Sequence, residues 1–109
     1  MISIEDFKKI DIRTGTIVEV ELNKKANKPA YILRVDLGKE LGIKTSSAQI
    51  TSLYNLEELV GKQVIAVVNF PILQVANVMS EILVLGVKTQ EGVVLLETER
   101  KTENGLKIS

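Results

Sequence analysis

Between Ile10 and Leu22 the chain alternates apolar and polar residues with a period of two, the spacing of a strand with one face on a core. Ile10, Ile12, Val18, Val20 and Leu22 fall on one side, and Asp11, Arg13, Glu19 and Glu21 on the other. Gly15 interrupts this run and predicts a bulge or bend there. After the polar turn Asn23–Pro29, Tyr31, Leu33, Val35 and Leu37 alternate with Ile32, Arg34 and Asp36, which predicts a second strand paired as a hairpin. Gly38–Gly42 turns the chain into a third strand from about Ile43 to Ile50. Asn55 and Glu58 are spaced to cap a helix of one or two turns, with Gly61 at its C′ position. Lys62–Phe70 reads as a nearly continuous apolar strand, Glu81–Val87 as another, and Val93–Leu96 as a short addition. Ser3 and Asp6 have the spacing of a capping box, so a brief helix is expected from about Ile4 to Lys9. Asn104-Gly105 is a tight-turn signal.

Three strands, a short helix and two strands is the order of the OB-fold. The expectation is an all-β domain over residues 1–109, a five-stranded Greek-key barrel with short helices at the N-terminus and between strands three and four. A plain β-sandwich is the rival.

Composition narrows the function. The 109 residues are 45% hydrophobic but only 4% aromatic, so the core is built from Val, Ile and Leu. That excess of aliphatic surface hints at a second copy of the chain as a partner. There is no His and no Cys, which excludes thiolate or imidazole metal sites, Cys nucleophiles and His acid–base chemistry. The adjacent acids Glu5-Asp6 and Glu57-Glu58 read as helix starts, and no carboxylate cluster has metal-ligand spacing. No phosphate-cradling Gly-rich loop is present, so neither a cofactor nor an ATP-driven cycle is expected. The N-terminus lacks the features of a signal peptide, and the longest apolar run, Val64–Leu73, is broken by Asn69 and Pro71. The expectation is a soluble, cytoplasmic, non-catalytic protein with no membrane insertion.

Formal charge is zero, with 14 basic and 14 acidic residues, which argues against a general polyanion binder. Lys24, Lys25 and Lys28 nevertheless cluster in the first hairpin loop, where they read either as a solvated tip or as phosphate contacts. Arg13, Arg34 and Lys44 on the polar faces of three strands either extend that patch or pair with Asp11, Asp36 and Glu19. Ser46, Ser47 and Gln49 are polar groups on an otherwise buried strand, there to fix the barrel or to face a ligand. Asn69 and Ser80 flank the loop Pro71–Met79, which is apolar through Ile72, Leu73, Val75, Val78 and Met79. Either this loop folds onto the barrel or a dimer contact, or it receives apolar polypeptide. Asn77 is expected at positive φ. Of the four aromatics, Phe7, Tyr31, Tyr54 and Phe70, the last reads as core, which leaves little of a base-stacking platform.

Asp11-Ile12-Arg13-Thr14-Gly15-Thr16-Ile17-Val18, Gly42-Ile43-Lys44 with Ser46-Ser47-Ala48-Gln49-Ile50, and Gln63–Pro71 together resemble the CsaA family. These are small stand-alone relatives of the tRNA-binding domain appended to methionyl-tRNA synthetases. The resemblance runs from Asp6-Phe7 to Asn104-Gly105-Leu106-Lys107-Ile108, and the Ser-Ser-Ala-Gln-Ile run favours the CsaA branch. It implies a cytoplasmic OB-fold homodimer, a chaperone for unfolded preproteins with a SecA-type translocation motor as a further partner. Its fold relatives bind tRNA by shape. On that resemblance, RNA-contacting positions are Arg13, Lys24, Lys25, Lys28, Arg34, Lys44, Ser46, Ser47, Gln49, Asn69 and Ser80. Peptide-contacting positions are Phe70, Ile72, Leu73, Val75, Val78 and Met79. Related domains commonly hold a basic pair where this chain has Leu73-Gln74, and a Gly where it has Asn77. Two fewer cations remove about two phosphate contacts, which suits the loop to apolar segments. A dimeric polypeptide-binding chaperone is therefore the leading expectation, and a structure-specific tRNA-binding module the alternative.

Overall fold

The structure is a computed structural model that describes residues 1–109. Strand β1 (Ile12–Leu22) is the longest element and belongs to both halves of the sheet. Its first part, Ile12–Thr16, pairs antiparallel with β4 (Gln63–Val67), and its second, Thr16–Leu22, with β2 (Tyr31–Asp36). β3 (Ile43–Ala48) pairs with β2, and the two-residue β7 (Leu83–Val84) with β4. The order β3-β2-β1-β4-β7 gives a nearly closed five-stranded antiparallel barrel, as expected for an OB-fold.

Such curling requires β1 to bend, and Gly15 makes room for it. A Cβ there would lie 2.7 Å from Val35 Cγ1 and 2.8 Å from Leu37 Cδ2. The bulge itself falls three residues later, between Ile17 and Glu19. This extra residue reverses the strand's parity. Ile17 before the bulge is buried and Val20 after it packs on the core as expected, so Val18, expected on the inner face, is exposed. Leu22, opposite Tyr31 at the strand's end, is exposed although it shares Val20's side. β2 follows its alternation throughout, with Tyr31, Leu33 and Val35 buried.

Leu59, from α3 (Leu56–Leu59), packs into a core that includes Ile17, Leu33, Val35, Leu37, Val64 and Ala66. The Asn55 carboxamide caps α3 by accepting from the Glu58 N–H at 3.0 Å, and Gly61 takes φ +93° just beyond it. α1 (Ile4–Lys8) has the full Ser3–Asp6 capping box but buries no side chain. Its hydrogen bonds from Ser3 hold the Asp6 carboxyl below its ordinary 3.8. A short α2 (Gly38–Leu41) occupies the turn before β3.

Three expectations on the C-terminal half are revised. The run Pro71–Met79 is not a loop but carries a hairpin, β5 (Leu73–Val75) with β6 (Val78–Ser80). Its positive φ belongs to Ala76 at 54°, not to Asn77. The strand expected over Glu81–Val87 breaks at Leu85. β7 precedes the break, and β8 (Gly86–Lys88) turns away to pair with β9 (Val93–Leu95).

The polar residues of the 11–16 motif clasp the last segment of the chain. Thr14 exchanges backbone bonds with Gly105 and Leu106, while its hydroxyl donates to the Glu103 carbonyl at 2.8 Å. Arg13 donates to the Gly105 carbonyl at 3.0 Å, and the Thr16 hydroxyl to Asn104 Oδ1 at 2.7 Å. Gly105 has φ +82° there and lies against the Leu37 carbonyl, where no Cβ fits.

Gly15→Ala should destabilise the fold by about 1–3 kcal/mol, because the new methyl must displace two core side chains. Urea unfolding monitored by circular dichroism measures this; a midpoint equal to that of the unaltered chain would show that the bend does not depend on Gly15.

Candidate functional site

At the barrel's seam, β3 faces the segment that leads from β6 into β7. Two residues there complete the closure with side chains. The Thr45 N–H donates to Glu81 Oε1 at 3.0 Å, and the Ser47 N–H to Ser80 Oγ at 3.0 Å. One backbone bond, from the Glu81 N–H to the Thr45 carbonyl at 2.7 Å, joins them. Ser80 therefore acts in the seam, and Glu81 also faces Lys44 at 3.9 Å.

From the seam the β5–β6 hairpin stands out as an arm. Val78 is 6% exposed and anchors it, whereas Ile72, Leu73 and Met79 are 57%, 65% and 53% exposed. Phe70, expected in the core, is half exposed at the arm's root. No charged residue occurs from Val68 to Ser80 in a chain that is 26% charged.

A groove of about 410 Å³ runs along the arm between Phe70, Ile72, Leu73 and Val75 on one side and Ser47 and Leu83 on the other. It adjoins a cavity of about 180 Å³ that shares Phe70 and Ile72 and reaches Leu37 and Lys44. Pro71, Ile82 and Leu83 line the groove without having been singled out in the sequence. An alternation around a two-residue Ala-Asn turn was the available signal for the hairpin that places them.

A second cleft, of about 420 Å³, lies between the first hairpin loop and the arm's tip. Lys25, Lys28 and Gln49 line it with Val75 and Ala76. Lys24, Lys25 and Lys28 take part in no ion pair. The strand cations differ. Arg13 bonds Asp11 at 2.6 Å and faces Glu40, and this pairing holds its guanidinium charge more firmly than usual. Arg34 faces Glu19 at 4.0 Å, and Lys44 faces Glu81. The structure thus brings together Lys25, Lys28 and Gln49 but engages Arg13, Arg34 and Lys44 with carboxylates.

Ser46 is fully buried, and Asn69 bridges backbone, accepting from the Asp11 N–H at 2.9 Å and donating to the Lys9 carbonyl at 2.8 Å. Neither Ser46 nor Val78 presents its side chain at the surface. Tyr31 is buried with its hydroxyl on the Tyr54 carbonyl, so the aromatics form no shared face.

The family model described as "Putative tRNA binding domain" matches residues 12–107. A crystal structure of the CsaA chaperone protein from Picrophilus torridus superposes with a TM-score of 0.95 at 53% identity, covering all of both chains. The chain belongs to the tRNA-binding-domain family, in its CsaA branch. Chaperone CsaA from Bacillus anthracis is 51% identical with a TM-score of 0.93, over 100% of this chain and 99% of that one. Methionine–tRNA ligase from Pyrococcus horikoshii is 37% identical over 98% of this chain, which spans 14% of the ligase. The cleft and the groove meet at the arm, with Val75 lining both. No helix is long and apolar enough to cross a membrane, and no group of three or more acidic residues is placed to hold a metal ion.

Proposed function

We propose that this CsaA-type domain is a non-catalytic chaperone that binds apolar segments of unfolded or export-destined polypeptides in the groove beneath the β5–β6 arm. The observation that supports it is the uncharged stretch Val68–Ser80, which exposes Phe70, Ile72, Leu73 and Met79 around that groove. Soluble proteins seldom expose so continuous an apolar surface unless it meets a partner. Met79 adds an adaptable contact for clients of varied shape. On this reading the domain acts in the cytoplasm, and a SecA-type motor would take over its preprotein clients.

A second copy of the chain would cover a different face. α1 buries nothing, Ile2 and Ile4 are 77% and 65% exposed, and Phe7, Ile10 and Ile108 line a cavity of about 450 Å³ beside it. With the groove left for clients, this face suits the homodimer.

The tRNA-binding reading is supported by the family match over residues 12–107 and by one feature of the structure, the cleft with Lys25 and Lys28 uncommitted to any carboxylate. Three loop lysines allow about three phosphate contacts at most.

Sub-stoichiometric to stoichiometric protein should suppress aggregation of a chemically unfolded client, followed by light scattering. Leu73→Asp should abolish this while leaving the melting temperature within about 2 °C, because the side chain is exposed. Suppression undiminished by Leu73→Asp would place the client elsewhere. Light scattering of the protein alone should give about twice 12.0 kDa, and a single-chain mass would remove the second copy from the reading. If tRNA binds through the loop, affinity should fall roughly tenfold to fortyfold between about 50 and 200 mM salt, and Lys25→Glu with Lys28→Glu should weaken every tRNA alike. Affinity indifferent to both would exclude the cleft.

A further inference from the structure

The arm is a two-stranded sheet, and its outer strand has a free edge. β5 pairs with β6 through Leu73–Ser80, Gln74–Met79 and Val75–Val78, and with nothing else. Outside that hairpin, residues 70–80 take part in none of the molecule's backbone-to-backbone hydrogen bonds. In a hairpin closed by a two-residue turn the flanking pair, here Val75 with Val78, exchanges both bonds, and so does the pair two positions away, Leu73 with Ser80. Gln74 lies between them and turns its N–H and C=O away from β6.

Sheets ordinarily guard such an edge with Lys, Pro, a bulge or a covering element. None of these lies within β5, and the nearest proline, Pro71, stands two residues before it. A lone two-stranded hairpin is also only marginally stable in water, and a third strand over an apolar face makes it secure. We infer that an extended segment of an unfolded polypeptide adds to β5 as that third strand, its main chain bonding Gln74 and its alternate side chains entering the groove of Phe70, Ile72 and Leu73. This rests on the polypeptide reading above and states how that polypeptide is held.

Such a mode explains how one short site would accept many clients. Main-chain bonds are independent of sequence, and only alternate side chains are sampled by the apolar wall. An unfolded segment fits this edge better than a second copy does. Three residues of strand run for about 10 Å, and a stable contact between two folded chains needs roughly 800 Å² per partner. A short edge serves transient capture instead.

The test uses the unaltered protein and an uncharged-core, Val/Leu-rich peptide of about ten residues with a fluorescent tag. Each backbone amide is N-methylated in turn, which removes one donor and obstructs pairing on that side. Affinity should fall about tenfold or more at alternating positions and little at those between. Equal effects at adjacent positions, or none, would overturn strand addition while leaving groove binding intact. Failure of the unmethylated peptide to bind would overturn the polypeptide reading, and this inference with it. Gln74→Pro gives a second arm of the test: it should remove peptide binding without altering the mass in solution. Should that variant instead split a dimer into single chains, the β5 edge joins two copies and the inference is wrong.

Discussion

The barrel closes through two side chains, and the position of everything around the groove follows from that. β7 is only two residues long, so it cannot offer β3 a regular ladder. The N–H groups of Thr45 and Ser47 would be left without acceptors, at about 1–3 kcal/mol for each one buried. Glu81 Oε1 and Ser80 Oγ receive them instead. The residues that complete the seam are the last of β6 and the one after it, so the same bonds that shut the barrel fix the root of the arm. A regular fifth strand at this point would have absorbed the segment into the sheet. Closure by side chains leaves it free to project, and the groove is the space between the projecting arm and the barrel wall.

Charge placement then separates the groove from the lysine loop. Arg13, Arg34 and Lys44 each face a carboxylate, which leaves the barrel wall close to neutral. Three lysines without a carboxylate partner, Lys24, Lys25 and Lys28, lie together in the first hairpin loop. Exposed pairs such as Arg34 with Glu19 add little stability. Their larger effect is on partner choice, since a paired cation is a poorer phosphate ligand than a free one. The arm itself carries no cation, which works in the same direction.

Much of the fold was legible in the chain because local signals agreed with the global one. The alternation of β2, the Asn55 and Glu58 pair with Gly61, and the Ser3–Asp6 box each describe contacts between residues close in sequence. Asp11–Thr16 and Asn104-Gly105 were visible as motifs, but their purpose was not, because the clasp between them spans some ninety residues. Gly15 signals a bulge or a bend, and the bulge itself lies after Ile17. No residue type demands it there; Gly15 marks where a Cβ would strike Val35 and Leu37, a separate consequence of the same bend. Phe70 reads as core in the chain but is half exposed, because apolar pattern alone does not show where a strand leaves the sheet. Ser46 and Ser47 left burial and exposure open, and the structure divides them, with Ser46 inside and Ser47 on the groove. The family was legible throughout, since its motifs are the residues that build the seam and the clasp.

On the proposed reading the uncharged arm, not the lysine loop, receives an unfolded chain. Amide chemical-shift mapping on isotopically labelled protein, titrated with a permanently unfolded apolar polypeptide, tests it most directly. The account predicts perturbations concentrated between Val68 and Leu83 and along Thr45–Ser47, with Lys24–Lys28 unmoved. Shifts centred on Lys24–Lys28 with the arm unchanged would contradict it.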